Sequence, residues 1–208
     1  MPDFDRTAHW QTVYSTKGEE EVSWFEDSPE HSLDLIRKAG IAESASIVDV
    51  GGGASRLVDA LVTRGQSHVT VIDLSAAALD TAKARLQLAN NVMWIVSDIT
   101  RWEPDRAYDL WHDRAAFHFL TDVADQNDYV SVMSKALKLG GIAIIGTFAL
   151  SGPEKCSGLT VARHDAGSLE RIFGQQFKLL SSEPYQHTTP WNSVQDFQFS
   201  TFVRSRYL

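Results

Sequence analysis

Three carboxylates, Asp49, Asp73 and Asp98, each close a short apolar run, and the first is followed at once by Val50 and three consecutive glycines, Gly51, Gly52 and Gly53. A carboxylate accepts hydrogen bonds and donates none, so an acid about twenty residues beyond a glycine loop is placed to take the two hydroxyls of a ribose. Leu74, beside Asp73, can lie against a purine face. Glycines carry no Cβ, and a ligand can rest directly on their backbone. The chemistry implied is the holding of a nucleoside. The dinucleotide pattern G-x-G-x-x-G fails at its third glycine, where Arg56 stands, so spacing alone leaves nicotinamide dinucleotides and other nucleoside ligands both open.

A second set of residues could act on whatever such a ligand delivers. His112, His118 and His187 are candidate proton acceptors, expected in loops at the carboxyl edge of a sheet. His112, Asp113 and Arg114 fall where the fourth apolar run leaves the core, with Phe117 close behind. Asp113 and Arg114 could instead pair with each other and hold a turn. Cys156, Ser157, His187 and Thr188 are expected in loops that wall a pocket, or else to satisfy one another's backbones, as turn residues usually do. Cys156, His164 and His187 lack metal-ligand spacing, and no metal is expected.

These residues need a scaffold that brings strand ends together. The β-branched run before Gly51 reads as a strand buried on both faces, and residues 55–64 repeat apolar positions at helical spacing before Gly65. The pattern then alternates: a strand at 67–75, a helix at 76–88 capped by Ser75, a strand at 91–99, a strand at 107–114, a helix at 122–137, a turn at Gly140-Gly141 and a strongly apolar fifth strand. Residues 151–159 read as a loop, 165–173 as a helix between Asp165 and Gly174, and the runs 177–184 and 196–203 as an antiparallel pair. Upstream, residues 30–39 form a helix started by Ser28-Pro29 and stopped by Gly40. Residues 1–29 are read as an N-terminal helix and arm. Its Trp10, Tyr14, Trp24 and Phe25 either pack on the core or close as a lid over a ligand.

Composition limits the partners. The chain of 208 residues, 43% hydrophobic, suffices for one sizeable core. Its 27 acids against 19 bases leave a formal charge of −8, which repels a phosphate backbone, so nucleic acid is not expected. A single cysteine excludes an internal disulfide framework and fits a reducing compartment, and neither a signal-peptide pattern nor a membrane-spanning run is seen, so a cytoplasmic protein without membrane contact is the expectation. Composition leaves the oligomeric state open.

Taken together, the segments resemble the class I S-adenosylmethionine-dependent methyltransferases from about residue 30 to the end. Residues 47–53 resemble that family's first motif, Asp73 its ribose acid, Ser97-Asp98-Ile99 its adenine segment, and residues 137–142 its turn into the fifth strand. Ser55 stands in place of the usual third glycine, and Leu139 in a common proline position. The segments HDRAAFHFLT (112–121), GPEKCSGL (152–159) and HTTP (187–190) are similar to a group of small stand-alone members. The resemblance implies a single α/β domain over residues 30–208, Rossmann-like, with a mostly parallel seven-stranded sheet, an antiparallel last strand and helices on both faces. It implies S-adenosylmethionine as cofactor and S-adenosylhomocysteine as product. Asp49, Gly51, Gly52 and Gly53 would surround the methionyl part, with backbone carbonyls near His112 facing its ammonium. Asp73 would take the ribose, Leu74 and Ile99 the adenine faces, and Ser97 and Asp98 its edge. A nicotinamide ligand has no use for the Ser97-Asp98 and His112-Asp113 segments.

The acceptor is narrowed but not named. Enzymes that methylate base or amide nitrogens often carry an Asn/Asp-Pro-Pro-aromatic tetrad after the fourth strand, and this chain has His112-Asp113-Arg114-Ala115 there. The expected acceptor is a small molecule, with a thiol or similarly soft nucleophile in view because a thiol is partly ionised without help. Trp24, Asp113, Arg114, Phe117, Cys156, Ser157 and Thr188 are its candidate pocket. Methylation of protein lysine and cofactor binding without catalysis stand as the alternatives.

Overall fold

The computed structural model describes residues 5–87 and 89–205. The acidic start (residues 1–4), Leu88 at the predicted end of one helix, and residues 206–208 lie outside these. Helix α1 (Arg6–Thr16) is followed by a short 3-10 turn (Glu19–Glu21) and by α2 (Glu30–Lys38). Then come β1 (Ser46–Val50), α3 (Leu57–Thr63), β2 (His68–Asp73), α4 (Ala76–Arg85), β3 (Val92–Val96) and β4 (Tyr108–Arg114). Helix α5 (Val123–Ala136) leads into β5 (Leu137–Phe148), the ribbon β6 (Lys155–Cys156) and β7 (Leu159–Thr160), α6 (Ala166–Phe173), β8 (Phe177–Thr188) and β9 (Val194–Arg204).

Seven strands form one sheet in the order β3-β2-β1-β4-β5-β9-β8. The first five run parallel, and β9 enters antiparallel between β5 and β8. Side chains alternate across a strand, and the two cores show it. Val48, Val50, Ile72, Trp111 and Ile145 face the side covered by α5 and α6, whereas Ile47, Val71, Leu110 and Ile144 face the side covered by α2, α3 and α4. The single α/β domain with helices on both faces and a reversed last strand is therefore present as expected. Burial of each large aromatic in these cores contributes about 2–3 kcal/mol, which makes the two layers the main source of stability.

Local departures have local causes. Helix α3 starts at Leu57, not Ser55, because the Gly51–Gly53 bend continues through a Ser55 N–H to Gly52 carbonyl bond of 2.8 Å, and the Ser55 hydroxyl takes the Leu57 N–H at 3.1 Å. Pro29 caps α2 from outside its first turn. Strand β5 begins before the glycine pair: Tyr108 pairs with Leu137 and Leu110 with Ile142, so residues 138–141 bulge from the ladder. The predicted loop at 151–159 contains the β6–β7 ribbon, turned by Ser157 (φ 50°) and Gly158 (φ 79°). Both values are positive, as a two-residue hairpin turn of matching twist requires.

Candidate active site

The parallel register sets the ends of β1, β2 and β3 side by side. Asp49 lies opposite Val71, and Asp73 opposite Val96, with Ser97 and Asp98 directly beyond the end of β3. Gly51 turns away from β1 at φ 63°, a backbone conformation that a side chain makes costly. Gly52 has no room for one: a Cβ there would stand 2.5 Å from Asp49 Oδ2 and 2.7 Å from Val71 Cγ1.

Two adjoining cavities open at this edge. The first, about 790 Å³ with its mouth, runs from Ser97, Asp98 and Ile99 past Asp73 and Leu74 to Gly51, and ends at Arg114 and Cys156. The second, about 630 Å³, lies on the other side of Gly51 and is bounded by Ser32, Asp49, Gly52, Arg56 and His112. Tyr14, Trp24, Val50, Gly51 and Arg114 line both.

The arm covers the first cavity. Asp5 caps α1 through the Ala8 N–H, and Arg6, Trp10 and Tyr14 recur every fourth residue, which puts them in one stripe. All three line the cavity. Arg6 pairs with Asp98 at 3.3 Å and Asp125 at 3.0 Å, Trp10 meets Phe119 edge-on at 4.9 Å, and Trp24 Nε1 donates to the Tyr14 hydroxyl at 3.1 Å. Gln11 Oε1 accepts from the Ala77 N–H at the start of α4. Tyr14 is buried enough that its hydroxyl stays protonated far above the ordinary tyrosine range. Arg6, Ser32, Glu26 and Arg56 were not selected from sequence; only Arg6 had a signal there, the four-residue spacing with Trp10 and Tyr14.

The acids differ in state. Burial pushes the Asp73 carboxyl up to about 7, with the nearby Asp49 charge adding to it and the Ser75 N–H, at 2.8 Å, opposing it. Asp98 Oδ1 accepts from the Thr100 N–H and hydroxyl, which leaves Oδ2 to Arg6. Asp49 Oδ1 bonds His112 Nδ1 at 2.7 Å, and Asp49 Oδ2 is buried without a hydrogen-bond partner.

The predicted acceptor residues divide. Trp24, Arg114 and Cys156 line the first cavity; Asp113, Phe117, Ser157 and Thr188 do not. In β4, Asp113 must face opposite to His112. It is fully buried and accepts from the Ala116 N–H at 2.9 Å, the Phe117 N–H at 3.1 Å and the Tyr129 hydroxyl at 2.6 Å. Phe117 packs on Tyr129 and Phe173 in the core. Ser157 is spent on the ribbon turn, and Thr188 is exposed at the end of β8. Arg114 does not pair with Asp113. Its Nη2 meets Glu26 at 2.9 Å, its Nη1 donates to the Trp24 carbonyl at 2.9 Å, and its plane lies over Phe197.

None of the three histidines sits in an open loop. His112 lies within β4, with Asp49 on one nitrogen and Ser32 Oγ, at 3.0 Å, on the other. His118 is fully buried, its Nδ1 facing the Phe148 N–H, and burial pushes its pKa down to about 3. His187 lies within β8; its Nε2 donates to the Ser23 carbonyl at 2.7 Å, while Nδ1 faces Glu26 at 3.2 Å. Burial alone would raise the Glu26 carboxyl, but hydrogen bonds from His187 and Tyr185 and the Arg114 charge hold it below its ordinary value. Burial pushes the Cys156 thiol up to about 11, so it is protonated at neutral pH. Among the described residues, no three His, Cys, Asp or Glu side chains gather so as to hold a metal ion.

Comparison with known proteins gives this architecture a class. The family model described as a methyltransferase domain matches residues 47–141, a little under half of the chain, from within β1 into β5. Nodulation protein S of Rhizobium tropici is 25% identical over 117 residues, covering 56% of this chain and 49% of the relative. Malonyl-acyl-carrier-protein O-methyltransferase 1 of Ilyobacter polytropus is 28% identical over 110 residues, 52% of this chain and 40% of the relative. The chain thus spans about half the length, or less, of these curated relatives. The crystal structure of the N-methyltransferase NodS from Bradyrhizobium japonicum, in complex with S-adenosylhomocysteine, superposes with a TM-score of 0.73 at 18% identity, covering 97% of this chain and 100% of that one. The fold is Rossmann-like, and within it residues 47–141 resemble a methyltransferase domain, the class of the solved neighbour that holds S-adenosylhomocysteine.

Proposed function

We propose that this protein is an S-adenosylmethionine-dependent methyltransferase acting on a small molecule whose nucleophile is at least partly anionic at neutral pH without a protein base, a thiol first among them. One observation carries the choice of nucleophile. Where the first cavity ends, the structure offers a guanidinium (Arg114), aromatic walls (Trp10, Trp24, Phe119) and a protonated thiol (Cys156), and every histidine considered as a base is occupied or buried in the core. Glu26 and the Trp24 carbonyl take the two Nη groups, which leaves the Arg114 Nε–H, buried without a partner, as a donor for an anion, and an anion needs no base. The O-methyltransferase among the relatives acts, by its name, on a malonyl group, and a carboxylate shares this property with a thiolate.

The cradle fits the cofactor. Asp49 Oδ2 is buried without a partner beside Gly52, and Asp49 and Gly52 line the second cavity, as suits the amino end of a methionyl group. Asp73 would hold the ribose, Leu74 and Ile99 the faces of the adenine, Ser97 and Asp98 its edge, and the Gly51–Gly53 bend with the His112 carbonyl the methionyl chain. When bound, the cofactor supplies an activated methyl carbon. The protein aligns the nucleophile behind that carbon and excludes water. The roof of Trp10, Tyr14 and Trp24 performs the exclusion, and residues 5–29 act as a lid.

The acceptor assignment is tested by release of S-adenosylhomocysteine across thiols, carboxylates, phenols, amines and basic proteins. Turnover with thiols is expected to rise with pH until the thiol's own pKa and then level off. Turnover confined to amines or to basic proteins would overturn it. The lid is tested by Arg6→Ala. The two Arg6 ion pairs are partly exposed, so their loss costs at most about 1 kcal/mol of closure. Stopped-flow tryptophan fluorescence should show cofactor association and release both quickened by a few-fold; unchanged rates would reduce α1 to a packing element.

A further inference from the structure

Asp49 is one end of a buried chain of hydrogen bonds. Ser32 on α2, His112 on β4 and Asp49 on β1 are each 2% exposed, and Asp49 and His112 are register partners on neighbouring strands. His112 Nδ1 lies 2.7 Å from Asp49 Oδ1, and His112 Nε2 lies 3.0 Å from Ser32 Oγ. An ionised carboxylate only accepts, so Nδ1 carries the hydrogen. In the neutral ring Nε2 then has a bare lone pair, which takes the Ser32 hydroxyl hydrogen. Both donors point the same way, toward Asp49, and each bond polarises the next. Oδ1 is held by His112, and Oδ2, beside Gly52, is the oxygen left over. All three residues border the second cavity.

We propose that Ser32 and His112 are positioning residues: they lock the Asp49 carboxylate so that its second oxygen reads the amino group of the cofactor's methionyl half. This rests on the methyltransferase reading above and extends it to residues with no direct part in methyl transfer. His112 accordingly is not a base. Its ring is spent on orientation, in the way that a second hydrogen bond orients a metal-bound or catalytic histidine in other proteins. Gly52 has the same requirement, since a side chain there would collide with Oδ2.

The test compares two ligands that share adenosine and a thioether and differ in the amino-acid portion, S-adenosylhomocysteine and methylthioadenosine. Calorimetric affinities are measured for the wild type, Ser32→Ala, His112→Phe and His112→Asn. Loss of a hydrogen bond to a charged group predicts S-adenosylhomocysteine binding weakened about tenfold or more in His112→Phe and by a few-fold in Ser32→Ala. His112→Asn, whose side-chain amide can still donate to Asp49, should recover most of the affinity. Methylthioadenosine should bind all four proteins alike. Equal losses for both ligands would make the chain a merely structural element and overturn the proposal, as would full S-adenosylhomocysteine affinity in both Ser32→Ala and His112→Phe. If His112→Phe does not fold, Ser32→Ala and His112→Asn decide. A wild type that binds neither ligand would overturn the methyltransferase reading itself, an outcome distinct from failure of the chain alone.

Discussion

Asp73→Asn is expected to weaken S-adenosylmethionine binding by roughly 100-fold while raising the thermal stability of the cofactor-free protein at pH 8. The binding loss follows from removing a charged acceptor from the ribose hydroxyls, each such bond contributing about 1.5–3 kcal/mol. The stability gain follows from the sign of its shift. Burial holds the Asp73 carboxyl at about 7, above the ordinary carboxylate value, so the folded protein binds its proton more tightly than the unfolded chain does. The stability this contributes is fully present at low pH and is lost as pH rises from about 4 through 7. An uncharged amide escapes that loss. The same shift predicts cofactor affinity that increases as pH rises toward 7 and is flat above it, because hydroxyl donors favour the ionised form and below 7 binding must expel a proton. Calorimetry and melting curves at pH 6, 7 and 8 check all three, and a mutant with wild-type affinity would remove Asp73 from the site.

Asp113→Ala should act on stability instead. Its carboxylate sits at the crossing of the β4 exit, the 3-10 turn Phe117–Phe119 and α5, where it satisfies two backbone N–H groups and the Tyr129 hydroxyl, itself holding Trp111 Nε1 at 2.8 Å. It also braces Ala115, a non-glycine residue at φ 69°. Alanine would leave three buried donors without acceptors at about 1–3 kcal/mol each, of which relaxation recovers part. A net loss of about 3–5 kcal/mol is expected, which lowers the melting temperature of a chain this size by roughly 10 °C. Asp113→Asn keeps one acceptor oxygen and should lose about half as much. If Asp113→Ala melted like the wild type and lost only turnover, Asp113 would belong to the acceptor pocket after all.

The contrast between these two acids shows what the sequence discloses. The Gly51–Gly53 bend was legible because glycine answers a backbone demand that few other residues meet, the position of Asp73 because it closes β2, and the alternating strand and helix patterns were enough to order the sheet. His112-Asp113-Arg114 was misread as one cluster facing one ligand. Strand geometry forbids that arrangement: neighbours in β4 point to opposite layers, so His112 went to α2 and Asp113 to α5. Leu110 and Trp111, already apolar on both sides, carried the warning. Glu26 and Ser32 left no trace in the sequence, since their partners, Arg114 and His112, lie about eighty residues away and are reached only through the sheet. Ser157 was hidden by its backbone, because φ 50° at a serine cannot be read from a composition rich in turn formers.

Tyr14, Trp24, Val50, Gly51 and Arg114 belong to both cavities, so no occupant of one chamber can settle without fixing part of the wall of the other. In the proposed reading a single cofactor reaches across both chambers, so a disturbance of any shared wall residue is felt by both halves of one ligand at once.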